Sequence, residues 1–91
     1  MTEDEVRLWM VERTFSRDIR NVVRLTYATE DGERYLVKEK AVSNPQDADS
    51  IPCSIEAEES RLSEVPDVDM RERYEREAGR LMEEKSPDES I

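Results

Sequence analysis

From Val6 to Phe15 the chain reads VRLWMVERTF, an apolar run that passes into alternation of polar and apolar positions. Its β-branched and aromatic content predicts a strand over 5–15, with Val6, Leu8 and Met10 on one side and Trp9, Val11 and Phe15 on the other. Large apolar groups on both sides place this strand inside a sheet or partly in an interface. The polar SRDIRN that follows is a connection. Two further alternating runs, 22–29 and 33–42, flank Glu30-Asp31-Gly32, which predicts an antiparallel hairpin.

The turn sets the register expected of that hairpin. A three-residue loop with Gly32 left-handed pairs Tyr27 with Tyr35, Leu25 with Val37 and Val23 with Glu39. A two-residue Asp31-Gly32 turn sets Leu25 against Lys38 and Val23 against Lys40, mixing apolar and charged groups on one face. The first register is the expectation. It gathers Tyr27, Tyr35, Leu25 and Val37 on an inner face, with Arg24, Lys38, Lys40, Thr26 and Leu36 on the outer one.

Periodicity is lost across 43–65, where two prolines, several serines and many acids separate scattered apolar residues. A compact domain rarely leaves such a length unpacked, so Ile55 and Leu62 are expected as anchors, with an extended piece at Ser54–Ala57. The clearest helix is 68–84. Met70, Tyr74, Ala78, Leu81 and Met82 recur at helical spacing, and Asp69 with Glu72 reads as an N-cap and its return contact. Opposite charges four residues apart, such as Arg71 and Glu75 or Arg80 and Glu84, add a few tenths of a kcal/mol each. Gly79 marks either a close backbone approach or simple tolerance, and residues 86–91 are expected to fray.

Composition adds a statement about solvent. Of 91 residues 42% are charged and 35% hydrophobic, the formal net charge is −10, and eleven of the fourteen basic residues are arginine. An acidic, lysine-poor surface stays soluble where salt screens its self-repulsion, with a Debye length of about 3 Å at 1 M. In this the whole chain resembles the small uncharacterised acidic proteins of haloarchaea. The resemblance is one of composition and carries no functional residue across. No stretch approaches the length of an apolar membrane span, and the acidic MTEDEV start is unlike a signal peptide, so the expected location is the cytoplasm.

Candidate chemistry is sparse. There is no histidine, and Cys53, the lone cysteine, has no cationic neighbour in sequence to activate it, so it reads as a small buried filler. Among the many carboxylates, Glu12 and Glu39 are the pair a carboxylate enzyme would use, because both fall within strands; the plainer role for Glu39 is an edge position or a pair with an arginine such as Arg13. Asp47-Ala48-Asp49 lacks the glycine and spaced acceptors of a calcium loop, and neither glycine belongs to a phosphate loop. No catalytic, cofactor-binding or metal-binding residue is therefore assigned, and no cofactor is expected.

Charge is unevenly distributed. Residues 7–40 hold eight basic against six acidic side chains, whereas 41–91 hold six against fifteen. Arg24, Lys38 and Lys40 on one sheet face form the candidate nucleic-acid contact; the competing role for that face is pairing with the acidic half. The expected fold is α+β: one domain over 1–85, a three-stranded antiparallel sheet, an irregular acidic connection and one C-terminal amphipathic helix. Its specific function is unknown. The reading favoured is a small non-enzymatic interaction or accessory protein of a halophilic cytoplasm, self-associating as a homodimer through Trp9, Val22, Thr26 and Leu36 and open to an unidentified protein partner. Nucleic-acid binding and a carboxylate-based enzyme are the alternatives.

Overall fold

The computed structural model describes residues 4–15, 22–41 and 51–86. Three long strands, β1 (Glu5–Phe15), β2 (Val22–Ala28) and β3 (Arg34–Ala41), are joined by β4 (Ser54–Glu58), a 3-10 turn at Glu59–Arg61, β5 (Ser63–Glu64) and α1 (Val68–Glu84). The sheet has five strands in the order β4-β1-β2-β3-β5, two more than expected. All the described pairings are antiparallel. The extra strands come from the acidic stretch, whose few apolar side chains sufficed once an open strand edge was there to pair with: Ile55 faces Leu8, and Ala57 faces Val6. Residues 16–21, 42–50 and 87–91, and with them Asp47-Ala48-Asp49 and most of the tail, lie outside the described residues.

β1 runs between β4 and β2, and its apolar groups on both sides each belong to a buried cluster. One face carries Trp9, Val11 and Ala28, packed with Cys53, Val65, Tyr74, Ala78 and Leu81 beneath α1. The other gathers Leu8, Met10, Val23, Leu25 and Tyr27 with Ile51 and Ala57. An irregularity between Met10 and Glu12 shifts the β1–β2 register by one residue. Trp9 and Val11 share the helix side by ordinary alternation, and the bulge brings their polar neighbour Glu12 to that side as well.

The hairpin adopts the register that sequence reasoning rejected: Ala28 faces Tyr35, Tyr27 faces Leu36, Leu25 faces Lys38, Arg24 faces Glu39 and Val23 faces Lys40. Gly32 is left-handed, at φ 72°, as expected, but the loop is one residue longer. Side chains supply the difference. The Asp31 carboxylate accepts from the Thr29 hydroxyl (2.6 Å) and from the Glu33 N–H (3.0 Å), and the Thr29 hydroxyl oxygen accepts from the Arg34 N–H (3.2 Å). The same contacts hold the Asp31 carboxyl below its ordinary pKa, the Thr29 hydroxyl contributing most and the Glu33 N–H next. Lysine opposite leucine and valine is tolerated because the aliphatic stem lies on apolar surface while the ammonium reaches water.

This register also splits the tyrosines. Tyr27 lies on the face away from α1, and Tyr35 on the face toward it, so the helix covers Trp9, Val11, Ala28 and Tyr35, not the expected Tyr27 and Leu25, while Val37 lies on the helix side in the cleft beyond it. The helix span agrees with its expectation, but the N-cap is Asp67, whose carboxylate accepts from the Asp69 N–H at 2.9 Å; Asp69 sits in the first turn. Of the apolar stripe, Tyr74, Ala78 and Leu81 are buried, while Met70 and Met82 are 36% and 37% exposed.

The Tyr27 hydroxyl donates to the Pro52 carbonyl at 2.9 Å. Burial, with nearby Cys53 adding to it, pushes its pKa from 10.0 up to about 12. The neutral phenol is the form the fold favours, so its stabilisation is present below pH 10 and is lost as pH rises toward 12. Melting temperature is expected to fall over that window, and Tyr27→Phe to flatten part of the fall. An equally steep decline in Tyr27→Phe would show that another group is responsible.

Candidate functional site

The helix packs mainly on β1, with a smaller contact to β2, and so covers one side of the sheet face. Beyond it, Val65 and Pro66 lead into the helix and form a wall over β3. Between that wall, Met70 and Tyr74 on one side and the sheet on the other lies an open cleft of about 370 Å³, floored by Glu12, Thr14, Arg24, Thr26 and Val37. Its lining is mixed: apolar at Val37 and Met70, charged at Arg24 and Glu12. Arg73 approaches Glu12 at 4.0 Å. Burial raises the Tyr74 pKa, and the Glu12 carboxylate raises it further.

The cleft meets an unpaired strand edge. The Thr29 N–H donates to the Arg34 carbonyl at 3.0 Å, so the backbone groups of Arg34 face β2. By antiparallel alternation those of Leu36, Lys38 and Lys40 do too, and those of Glu33, Tyr35, Val37, Glu39 and Ala41 turn outward. The Glu33 carbonyl takes the Val65 N–H at 2.8 Å, and Tyr35 faces Ser63 of β5. Among the described residues no strand pairs with the outer edge of β3 beyond Tyr35. Val37, Glu39 and Ala41 are left presenting a row of backbone donors and acceptors. At the other end of the sheet the outer edge of β4 carries Glu56 and Glu58, with Glu56 held by Arg7 at 2.7 Å.

The residues singled out from sequence are dispersed. Trp9 is 5% exposed, within the cluster under α1, and so is no part of an open self-association surface. Thr26 is buried in the cleft floor, whereas Leu36 belongs to the opposite face, half-buried against the second cluster. Val22, at the start of β2, is half-buried opposite Ala41. These four do not share a face. Nor do the three basic residues: Arg24 faces Glu39 on the helix side, while Lys38 and Lys40 face Leu25 and Val23 on the other. The cause is the one-residue register difference: Lys38 and Lys40 lie on the outer face as expected, whereas the residues of β2 are exchanged, which brings Arg24 and Thr26 to the helix side. Glu39 is exposed and opposite Arg24, so it forms no buried pair with Glu12. Cys53 is buried as expected, its thiol donating to the Ser86 carbonyl at 3.2 Å.

The helical spacing of Met70 and Tyr74 reads as a core stripe, as Tyr74 proves to be, and no pattern in the sequence joins them with Val65 and Pro66 around a cleft.

Geometry of this kind defines a small α+β domain: an antiparallel sheet with one helix over part of one face, and no enclosed cavity equipped for chemistry among the described residues. The chain belongs to the family of unknown function DUF7967, whose model matches residues 2–91. Over 60 residues it is 33% identical to the UvrABC system protein B of Bacillus caldotenax and to that of Geobacillus kaustophilus (strain HTA426). The similarity takes in 66% of this chain but 9% of each of those proteins. No solved structure matches.

Proposed function

We propose that the protein is a small non-enzymatic interaction module of a salt-rich cytoplasm, receiving a protein partner on the half of its sheet that α1 leaves open. The observation that carries this reading is the continuity of the cleft with the unpaired outer edge of β3. Strand edges and half-covered sheet faces are standard sites for adding a partner segment. The two similar proteins are each one component of the UvrABC system, and the resemblance covers a small part of each, which fits a module that works by contact with other chains. Co-purification from the native cytoplasm in molar potassium chloride, with and without nuclease, tests the reading. A defined protein that survives nuclease is expected; nucleic acid alone, or bands lost with nuclease, would overturn it.

A second copy of the chain is the less favoured partner at this edge. Two-fold antiparallel pairing of β3 with itself sets the residue on the axis against its own copy. Centred on Lys38, Glu39 or Lys40, that means like charges in direct opposition, and a centre farther back meets β5. A homodimer through Trp9 would require the helix to leave its cluster.

The salt-rich setting rests on the charge balance of −10. In dilute buffer, repulsion among 24 carboxylates opposes the compact state, so the melting temperature is expected to rise as potassium chloride is raised from millimolar to molar. Equal melting temperatures across that range would count against a halophilic origin.

A further inference from the structure

We propose that the occupant of the β3 edge is an extended acidic segment of a partner protein, which adds a strand along Val37–Ala41, sets its carboxylates against Lys38 and Lys40, and lays an apolar side chain beside Val37 at the mouth of the cleft. This rests on the interaction reading above and specifies its chemistry. Three observations converge. The outward backbone groups of Val37, Glu39 and Ala41 form a ready ladder. Lys38 is exposed and has no ion-pair partner among the described residues, and Lys40 stands two residues away on the same face, so this edge is basic on a protein of net charge −10. On the helix-side face the same edge carries Val37, with Pro66 and Met70 across the cleft.

Alternation then defines the partner. An antiparallel strand opposite Lys40, Glu39, Lys38 and Val37 reads, from its N-terminus, acid, any residue, acid, apolar. Lysines on an edge also discourage uncontrolled pairing. They do so against apolar and basic strands, and leave an acidic one unopposed, so the same charges act as a selectivity filter. The outer edge of β4 lacks this property, because Glu56 is already paired with Arg7 and Glu58 would repel such a segment.

The test titrates the blocked peptide Ac-EVEVEV-NH2 into the full chain, followed by amide exchange and chemical shifts. Expected is slowing of exchange at Val37, Glu39 and Ala41 by about tenfold at saturation, with Lys38 and Lys40 amides, already bonded to β2, unchanged. Lys38→Glu is expected to weaken binding about fivefold. Glu39→Pro removes an outward N–H without touching the bonds to β2, so it is expected to abolish binding while the protein stays folded. Equal binding of Ac-KVKVKV-NH2, protection elsewhere on the sheet, or indifference to Lys38→Glu would overturn the proposal. So would preferential binding of an oligothymidylate lost in Lys38→Glu, which would make the partner a nucleic acid. A native partner that still co-purifies with both variants while the peptide fails to bind would overturn the acidic strand and leave the broader interaction reading standing.

Discussion

Replacing Gly32 with alanine is expected to destabilise the fold by about 3 kcal/mol or more, lowering the melting temperature by about 12 °C or more. Two costs combine. A left-handed φ of 72° is costly for any residue with a Cβ, by roughly 1–2 kcal/mol. In addition, a Cβ at this position would lie 2.2 Å from the Arg71 carbonyl oxygen and 2.8 Å from the Glu75 nitrogen, so the turn would have to withdraw from the helix. Both contacts are backbone atoms, which cannot swing aside as a flexible side chain can. Gly79→Ala provides the internal control. Nothing lies within 4 Å of a Cβ there, and alanine is the better helix former, so the same substitution is expected to stabilise by up to about 1 kcal/mol. Thermal melts of the two variants measured together check the contrast; similar losses in both would show that the turn does not press on α1.

Trp9→Ala is expected to cost about 3–5 kcal/mol, the range for truncating a large buried aromatic side chain. Trp9 packs with Val11, Ala28 and Leu81 in the cluster under α1. The loss should be independent of protein concentration, because the contacts are within one chain; a side chain at a dimer contact would give a concentration-dependent melting temperature instead. Its indole N–H is buried without a hydrogen-bond partner among the described residues. An unsatisfied donor is itself destabilising, so Trp9→Phe removes that cost along with some packing and is expected to lose less than half as much as Trp9→Ala. Denaturant titration at two protein concentrations, tenfold or so apart, separates the cases. A small loss, or a midpoint that moves with concentration, would return Trp9 to an interface.

Both experiments bear on how the candidate surface is held. Gly32 lets the hairpin tip approach α1 at Arg71 and Glu75, and Trp9 anchors the other side of the helix. Between them they fix where α1 ends its cover of the sheet, and hence how much of Thr26 and Val37 stays accessible. The Arg71 side chain reinforces this arrangement by donating to the Val65 carbonyl at 2.6 Å, tying the wall of the cleft to the first turn of the helix.

By itself the sequence determined the elements whose signals are local. Alternation marked β1, β2 and β3, Gly32 marked the turn, and the spacing of Tyr74, Ala78 and Leu81 marked the helix, though not its cap at Asp67. Ile55 and Leu62 were legible as anchors because they are large apolar groups in an acidic stretch, and Cys53 as a small buried filler; the fully buried Ile51 and Val65 were not, since nothing nearby repeats with them. Tertiary structure decided the rest. The extended piece expected at Ser54–Ala57 is β4, but that it joins the sheet along β1, and that β5 forms at all along β3, rests on contacts between distant parts of the chain that no local pattern encodes. The hairpin register turned on three bonds among Thr29, Asp31, Glu33 and Arg34 and on the seat of Gly32 against α1. One residue of register changes which face of β2 shares a side with which face of β3, so the grouping of Arg24 with Lys38 and Lys40, and of Thr26 with Leu36, depended on those few atoms. The open β3 edge follows from the shortness of β5, and the cleft from α1 packing mainly on β1, neither of which any local pattern in the sequence encodes.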